Sequence, residues 1–192
     1  MIEKNYSVTR SKATWKPRVV ETDISFFHCE KCGSIFQGVS DSRAATHETK
    51  ERSSLACLPY QRLSSIPVCC YMEMKQIPLI ERKDLPESIK LDYQIVGGFN
   101  NNAISLIWEF SSKEFSLEWA TLKTYTGIQT KYVLPQKGPK LIFALADEDA
   151  YGYCDEDPCL KCVFACKRGF VLYAFVKNFG LVKITLADIN PS

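Results

Sequence analysis

The chain has 192 residues, 46% of them hydrophobic and 24% charged, so we expect one or two folded domains rather than a disordered or large multidomain protein. Twenty-four lysines and arginines against 22 aspartates and glutamates leave a formal charge of +2, which is too even to favour a nucleic-acid or membrane surface. No apolar run reaches about 18 residues, which excludes a transmembrane helix. The first 25 residues are charged throughout and show no export signal, so we expect a cytoplasmic protein.

The N-terminal part of the chain divides into an arm and a cysteine-bearing unit. Residues 1–24 are polar and basic, and they predict a flexible arm or an edge strand. Residues 25–76 predict a small unit in which two groups of cysteines flank a long polar insertion, residues 37–68. A short helix is expected within this insertion, near Ala44 to Arg52.

Nine cysteines against only two histidines are the most distinctive feature of the composition. In a chain without an export signal, an odd cysteine count and two C-x2-C pairs favour metal binding over a disulfide framework. A reducing cytoplasm keeps such thiols available as thiolates, which is the form that binds a metal. Disulfides and inert buried thiols remain the alternatives.

A C-x2-C motif opens the cysteine-bearing unit. Cys29 and Cys32 lie in the sequence FHCEKCG, and a turn at this spacing lets both sulfurs face one point. Gly33 follows directly and permits the positive backbone angles that such a turn uses. The motif therefore predicts half of a tetrahedral thiolate site.

An adjacent cysteine pair supplies the other half of this predicted site. Cys69 and Cys70 are neighbours, so they can both reach one metal only if the backbone leaves a regular strand, where successive side chains point apart. Pro67 lies just before them and disfavours a regular strand there. Four thiolates make a closed site for zinc or a single redox-active iron. Cys57, inside the insertion, is a spare ligand that could replace one of them.

From residue 77 onward the pattern changes to short β-rich runs separated by Gly, Pro and Asn, which predicts an antiparallel sandwich over residues 77–192. Alternation is clearest in SLEWATL, where Leu117, Trp119 and Thr121 are expected on one side of a strand. The predicted strands are Ile89 to Val96, Ala103 to Phe110, Phe115 to Thr124, Gln129 to Val133, Lys140 to Ala146, Tyr151 to Cys154, Phe170 to Val176 and Leu181 to Leu186.

A second cysteine group lies near the C-terminal end, in YCDEDPCLKCVFACKRG. Its C-x4-C-x2-C-x3-C spacing comprises Cys154, Cys159, Cys162 and Cys166. A zinc knuckle or a rubredoxin-like iron is the preferred interpretation. An iron–sulfur cluster is an alternative, although the fourth cysteine of plant-type ferredoxins lies much farther downstream. Buried apolar thiols on one helix face are the other alternative, because the last three have core spacing.

These motifs resemble those of the desulfoferrodoxins, superoxide reductases with two iron domains. FHCEKCG and VCCYMEMK are similar to the rubredoxin-like motif of that family, and Tyr71 stands where family members usually have glycine. KQIPLIER, FSLEWATLKTYTGIQTKYVLPQKGPK and AYGYCDED are similar to segments of the catalytic domain. The resemblance covers most of residues 26–157. It implies Cys29, Cys32, Cys69 and Cys70 as ligands of one iron, and an immunoglobulin-like sandwich.

The histidines that the resemblance calls for are missing. The family's catalytic iron has four histidine ligands and one cysteine, whereas His28 and His47 are the only histidines here and both precede the sandwich. Of the ligands, Cys154 alone is retained, together with a flanking lysine, Lys75. We therefore expect that the catalytic centre is lost and that its cysteine now belongs to the second cysteine group. Three of the histidine positions hold Gln76, Phe115 and Asp157, and the fourth falls in GGFNNN.

Three functions are compatible with this pattern. The leading hypothesis is a desulfoferrodoxin-like metalloprotein whose tetracysteine iron transfers single electrons without superoxide reductase activity. The second is a scaffold in which both sites bind zinc, and the third is a redox enzyme with an altered metal site around Cys154. The leading hypothesis calls for a redox partner protein and leaves a homodimer open; neither nucleic acid nor a membrane is expected.

Overall fold

The computed structural model contains two compact units. The cysteine unit comprises the described residues up to Leu79, and the sandwich unit comprises those from Ile80 onward. The predicted arm, the helix near residues 44–52 and the strand at 151–154 lie outside the described residues. The structure describes residues 23–38, 66–97, 102–124, 127–134, 136, 138–150, 167 and 169–186.

Five short strands build the cysteine unit. Strands β1 (Ser25–His28) and β2 (Ile35–Gly38) form an antiparallel hairpin. Strands β3 (Val68–Cys69) and β4 (Met72–Glu73) form a second, much shorter one. Strand β5 (Lys75–Gln76) follows one residue later and pairs with β1, which gives a three-stranded sheet of order β2-β1-β5.

The sandwich unit consists of two antiparallel sheets. One sheet has the order β10-β9-β12-β13-β6, and the other has the order β11-β8-β7. A 3-10 turn at Arg82–Asp84 and a short helix, α1 (Asp147–Ala150), complete the described elements. The strands are β6 (Leu79–Glu81), β7 (Ile89–Val96), β8 (Ala103–Phe110), β9 (Ser116–Lys123), β10 (Ile128–Tyr132), β11 (Lys140–Ala144), β12 (Val171–Lys177) and β13 (Gly180–Thr185).

Apolar residues from both sheets meet in one core. Strand β7 alternates buried and exposed residues along its length, as a strand with one covered face should. Its inward residues pack with those of β8, β11, β9, β12 and β13 in a single cluster. Burying each large side chain stabilises the fold by about 1.5–3 kcal/mol. The prediction of a mainly β chain with an antiparallel sandwich is thus confirmed.

The expected alternation in β9 is wrong at one residue. Leu117 packs in the sandwich core with Ala120 and Leu122, whereas Trp119 lies outside that cluster and stacks on Phe175 at 5.3 Å between ring centroids. The cause is a register shift against β12, where Phe175 pairs with Trp119 but the next residue, Val176, pairs with Leu117. Such a bulge moves the residues on its two sides to opposite faces of the strand.

Side chains of β10 cover the open edge of β11. The Gln129 amide donates to the carbonyl of Ala144 at 2.8 Å, and the Lys131 ammonium donates to the carbonyl of Ile142 at 2.7 Å. Strand β11 lies at the end of its sheet, so these bonds satisfy carbonyls that would otherwise offer an edge for pairing.

A buried polar network anchors α1 to the sandwich. The Thr124 hydroxyl donates to the Asp149 carboxylate at 2.7 Å. The fully buried ammonium of Lys167 donates to the carbonyls of Asp149 and Ala150, at 3.3 and 2.8 Å. Residues 150 and 167, which flank the segment 151–166, are therefore held together. Nowhere in the described ranges is there a helix of the length and apolarity needed to cross a membrane.

Candidate metal centre

The first cysteine turn connects β1 to β2. The backbone N–H of Cys29 donates to the carbonyl of Ser34 at 2.9 Å, and that of Gly33 donates to the carbonyl of Cys29 at 2.8 Å. Gly33 has a φ of +74°, the left-handed conformation for which glycine was expected at this position. These bonds fold the turn back on itself and bring the side chains of Cys29 and Cys32 to one side.

The second cysteine turn is the two-residue loop between β3 and β4. Cys69 pairs with Met72, which leaves Cys70 and Tyr71 as the loop residues. Their φ angles are +54° and +64°, the pattern of a type I′ turn, which normally uses Asn-Gly. The left-handed backbone at Cys70 is the predicted departure from a regular strand, and it allows two adjacent thiols to lie close together.

Strand β5 brings the two cysteine turns together. Lys75 pairs with His28, the residue that precedes Cys29, so the chain leaving the second turn is tied beside the first. The buried Met74 donates its backbone N–H to the carbonyl of Pro67 at 2.8 Å and closes the small hairpin. Across the turns the Lys75 ammonium contacts the Glu30 carboxylate at 2.7 Å, and this ion pair lowers the pKa of Glu30.

The four thiols form a compact group. The Sγ atoms of Cys29, Cys32, Cys69 and Cys70 all lie within 4.8 Å of one another. The Cys32 and Cys69 sulfurs are 3.6 Å apart, and those of Cys69 and Cys70 are 3.8 Å apart. Metal–sulfur bonds of about 2.3 Å in a regular tetrahedron place sulfurs roughly 3.8 Å apart, so the donor set fits one tetrahedral ion. Across the described residues no other group of three or more potential ligands is found.

The thiol group has a buried side and an exposed side. Cys29 is only 2% exposed and packs with Phe27 and Met74, whereas Cys32 is exposed. Cys69 and Cys70 are intermediate and pack partly against the same cluster. One side of the site is thus anchored in apolar packing, while the other side opens to solvent.

Hydrogen bonding decides which of these thiols ionises first. The Ser34 hydroxyl lies 3.1 Å from Cys32 Sγ, and bonds from this hydroxyl, then from the Ser34 backbone and from Cys29 and Cys69, lower the pKa of Cys32 to about 6. The bond to Cys32 is also the main reason that the pKa of Cys69 is raised and that of Cys70 is raised to about 12. Hydrogen bonding therefore favours the thiolate of Cys32 over those of Cys69 and Cys70.

Sequence reasoning did not single out Ser34 or the conformation of Tyr71. A hydroxyl two residues after the second cysteine of a C-x2-C motif was the available signal for Ser34. For Tyr71 the available signal was its place at a position where the resemblance has glycine, which is the residue type that a left-handed backbone favours.

The histidine positions of the resemblance and the remaining predicted ligands are described only in part. Gln76 is exposed on β5, and Phe115 contributes its ring to the sandwich core, where it meets Phe179 edge-on at 6.3 Å between centroids. Neither position offers a metal ligand. The remaining positions lie outside the described residues, namely Cys57, Asp157 and the second cysteine group, Cys154, Cys159, Cys162 and Cys166.

Comparison with known proteins supports the fold and does not extend beyond it. No protein-family model matches the chain, and no curated protein matches its sequence. Among solved structures, it is similar to the superoxide reductase from Treponema pallidum, with a TM-score of 0.51 and 16% sequence identity. The similarity covers 85% of this chain and 99% of that chain. The chain therefore shares a β-sandwich fold with a superoxide reductase.

Proposed function

We propose that this protein carries single electrons on one iron held by Cys29, Cys32, Cys69 and Cys70. The observation that supports this most directly is the meeting of the four sulfurs within 4.8 Å, although two of them come from one turn and two from another. When bound by four thiolates, iron changes between its ferrous and ferric states without exchanging ligands, whereas zinc has no redox chemistry.

The residues of the site suit electron transfer to an external carrier. The exposed side chain of Cys32 gives a short path between the thiolates and the surface. The buried Cys29 and the packing of Phe27 and Met74 hold the opposite side rigid, so that little reorganisation follows a change of charge. All four thiols are used as ligands, which leaves no open position for a substrate.

We do not assign superoxide reductase activity to the chain. Both of its histidines precede the sandwich unit, and the resemblance calls for four histidine ligands there. In the described part of that unit, Phe115 stands at one of those positions and packs, partly buried, against the core. The proposed role is therefore electron transfer alone, with a redox partner protein as donor or acceptor.

A second metal site is a separate part of the proposal. Its ligands would be Cys154, Cys159, Cys162 and Cys166, with zinc or iron as the metal. The described residues on either side support a closed loop, because the Lys167 ammonium donates to the carbonyl of Ala150 at 2.8 Å. Holding the ends of a loop together lowers the entropy that a metal must overcome when it closes the loop.

The test is elemental analysis and visible spectroscopy of protein purified without oxygen. We expect iron bound at the first site, a thiolate-to-iron absorption in the oxidised form, and its reversible loss on addition of one electron per site. In a variant with Cys154, Cys159, Cys162 and Cys166 all replaced by serine, the absorption of one iron bound at the first site should remain. A colourless protein that holds zinc and rejects iron would contradict the redox proposal and favour the zinc scaffold.

A further inference from the structure

The tip of the β3–β4 hairpin exposes a group of large apolar side chains beside the thiols. Tyr71 is 100% exposed and Val68 is 68% exposed. Ile66 and Met72, on the two sides of the same hairpin, are about half exposed. We call these four residues the hairpin tip. Large apolar side chains concentrated on one small element are characteristic of interaction surfaces, whereas scattered ones are ordinary.

Tyr71 occupies a backbone conformation that disfavours its side chain. Its φ of +64° is left-handed, and in a type I′ turn this second loop position is most often glycine. A bulky residue with positive φ is strained, and strain of this kind persists where function retains it. The full exposure of Tyr71 shows that its ring gains no burial within the chain to offset that strain.

The hairpin tip directly adjoins the metal ligands. Tyr71 follows Cys70, whose sulfur lies 3.8 Å from that of Cys69. A protein that covers Tyr71 would therefore come within a few bonds of the thiolates. A short distance of this kind is what electron exchange between two proteins requires.

The charges near the thiols favour a partner that is positively charged around an apolar contact. Glu30 and Lys75 neutralise each other in an ion pair of 2.7 Å. The other described charges that flank the cysteine turns are one of each sign, Lys31 and Glu73. These side chains cancel one another, so four thiolates around one ferric or ferrous ion would leave a net negative charge of about one or two, which a partner with a positively charged contact rim complements.

We propose that the hairpin tip, Ile66, Val68, Tyr71 and Met72, is the surface on which a one-electron carrier protein docks, with the apolar edge of its cofactor on the tip and positively charged side chains around that edge. This inference rests on the proposed function. With iron held by the four cysteines, the site would supply one electron to the oxidised carrier, so that ferrous iron would become ferric as the carrier is reduced. No bond forms or breaks and no proton moves. Redox encounters commonly use small interfaces, and a single exposed aromatic ring can dominate one of that size.

The test compares Tyr71→Asn with a matched change, Tyr132→Asn, at an exposed tyrosine of the sandwich unit. Asparagine tolerates the left-handed backbone, so the turn is retained. Ferric cytochrome c serves as the protein probe, because lysine side chains ring its exposed haem edge, and ferricyanide serves as the small-molecule probe. We expect Tyr71→Asn to slow oxidation by cytochrome c about tenfold, the loss typical of an aromatic anchor, and to change the ferricyanide rate less than about twofold.

A second readout does not depend on iron. In zinc-loaded protein, cytochrome c should shift the amide NMR signals of residues 66–72, and Tyr71→Asn should remove those shifts while Tyr132→Asn preserves them. Tyr71→Asn should also leave the melting temperature of the zinc-loaded protein unchanged or higher, since it relieves strain.

Three results would overturn the assignment of the hairpin tip. They are an unchanged cytochrome c rate, an equal slowing with ferricyanide, and a lower melting temperature that reveals packing of Tyr71 within its own chain. A wild-type dimer that Tyr71→Asn dissociates would assign the surface to a second copy of the chain instead. Failure of the wild-type protein to take up iron at all would refute the proposed function, and the zinc-loaded NMR experiment would still decide the docking surface.

Discussion

Different interactions stabilise the cysteine unit and the sandwich unit. Twenty buried residues from both sheets form the core of the sandwich unit. Among the described residues of the cysteine unit, Phe27, Cys29 and Met74 form the buried cluster behind the thiols, and Ile24, Phe26 and Ile77 are also buried. The cluster behind the thiols contributes only a few kcal/mol, whereas binding of a structural metal would contribute about 10 kcal/mol or more. Apolar burial thus stabilises the sandwich unit, whereas the cysteine turns meet through the pairing of β5 with β1, and a metal bound by their thiols would stabilise that arrangement further.

Removing one ligand should have the largest effect and should be confined to the cysteine unit. Cys29→Ser keeps the shape of a buried side chain but removes a thiolate, so we expect metal affinity at this site to fall by about two to three orders of magnitude. Competition with a chelator measures the affinity. Hydrogen exchange should quicken in residues 25–38 and 66–77 and stay slow in β7, β8 and β12.

Cys57→Ser is the control for that change, because Cys57 is the spare thiol of the insertion. We expect it to bind metal as the wild type does. If Cys57→Ser loses the metal and Cys29→Ser retains it, the ligand set is wrong.

A cavity in the sandwich core should have the opposite effect to the loss of a ligand: it should weaken the sandwich unit and leave metal affinity unchanged. Phe143 is fully buried, and Phe143→Ala should lower the free energy of unfolding of the sandwich unit by about 3–5 kcal/mol. Metal affinity should change less than about twofold, since the two units rest on different interactions. Denaturant unfolding followed by tryptophan fluorescence gives the first quantity, and chelator competition gives the second.

The neighbouring Ile142 provides the control for Phe143. Ile142 is 45% exposed, so Ile142→Ala should cost much less than Phe143→Ala. Equal losses of stability for the two variants would show that Phe143 is not the buried member of this pair.

The pH dependence of metal affinity should report the ionisation of the site. The pKa of Cys69 is raised and that of Cys70 is raised to about 12, so both thiols are protonated near neutral pH and must each lose a proton when a metal binds. The pKa of Cys32 is about 6, so above that pH it is already a thiolate and releases none. Affinity should therefore rise with pH, by at least about a hundredfold per unit above neutrality.

Ser34→Ala sharpens this measurement. Without the Ser34 hydroxyl the pKa of Cys32 should rise towards its ordinary value, since that bond is the main cause of its depression. Cys32 would then release a further proton on metal binding, and the slope near neutral pH should become steeper. An unchanged slope would mean that Ser34 does not stabilise the thiolate.

The smallest expected effect concerns a buried hydroxyl of the sandwich unit. Ser105 Oγ is fully buried and finds no hydrogen-bond partner in the described structure. Because an unsatisfied hydroxyl opposes folding, Ser105→Ala should raise the free energy of unfolding by about 0.5–2 kcal/mol. Thermal melting measures the change, with the exposed Ser116→Ala as a neutral control. A loss of stability in Ser105→Ala would reveal a partner for the hydroxyl.

The sequence predicted the sandwich strands well because their signal is local. Hydrophobic alternation placed Ile89–Val96 and Ala103–Phe110 with the bounds that the structure has. Alternation failed at Leu117, because the bulge opposite Phe175 depends on how β9 pairs with β12. Pairing of that kind joins distant parts of the chain, and no pattern within β9 contains it.

The sequence was enough to predict which cysteines form the thiol group, but not the pKa values of their thiols. Spacing and the kink required at Cys69 and Cys70 were enough to nominate the four cysteines. The depressed pKa of Cys32 depends on the distance of 3.6 Å to Cys69 Sγ and on the approach of Ser34, both of which arise only when the turns meet. The exposure of Tyr71 could not be predicted from the sequence either, because a residue type does not reveal what covers it.

X-ray absorption at the metal edge tests the central claim most directly. In protein with the second cysteine group replaced by serine, so that only the first site is present, the account predicts four sulfur neighbours at about 2.3 Å and no nitrogen or oxygen ligand. Fewer than four sulfurs, or a nitrogen neighbour from His28 or His47, would contradict it.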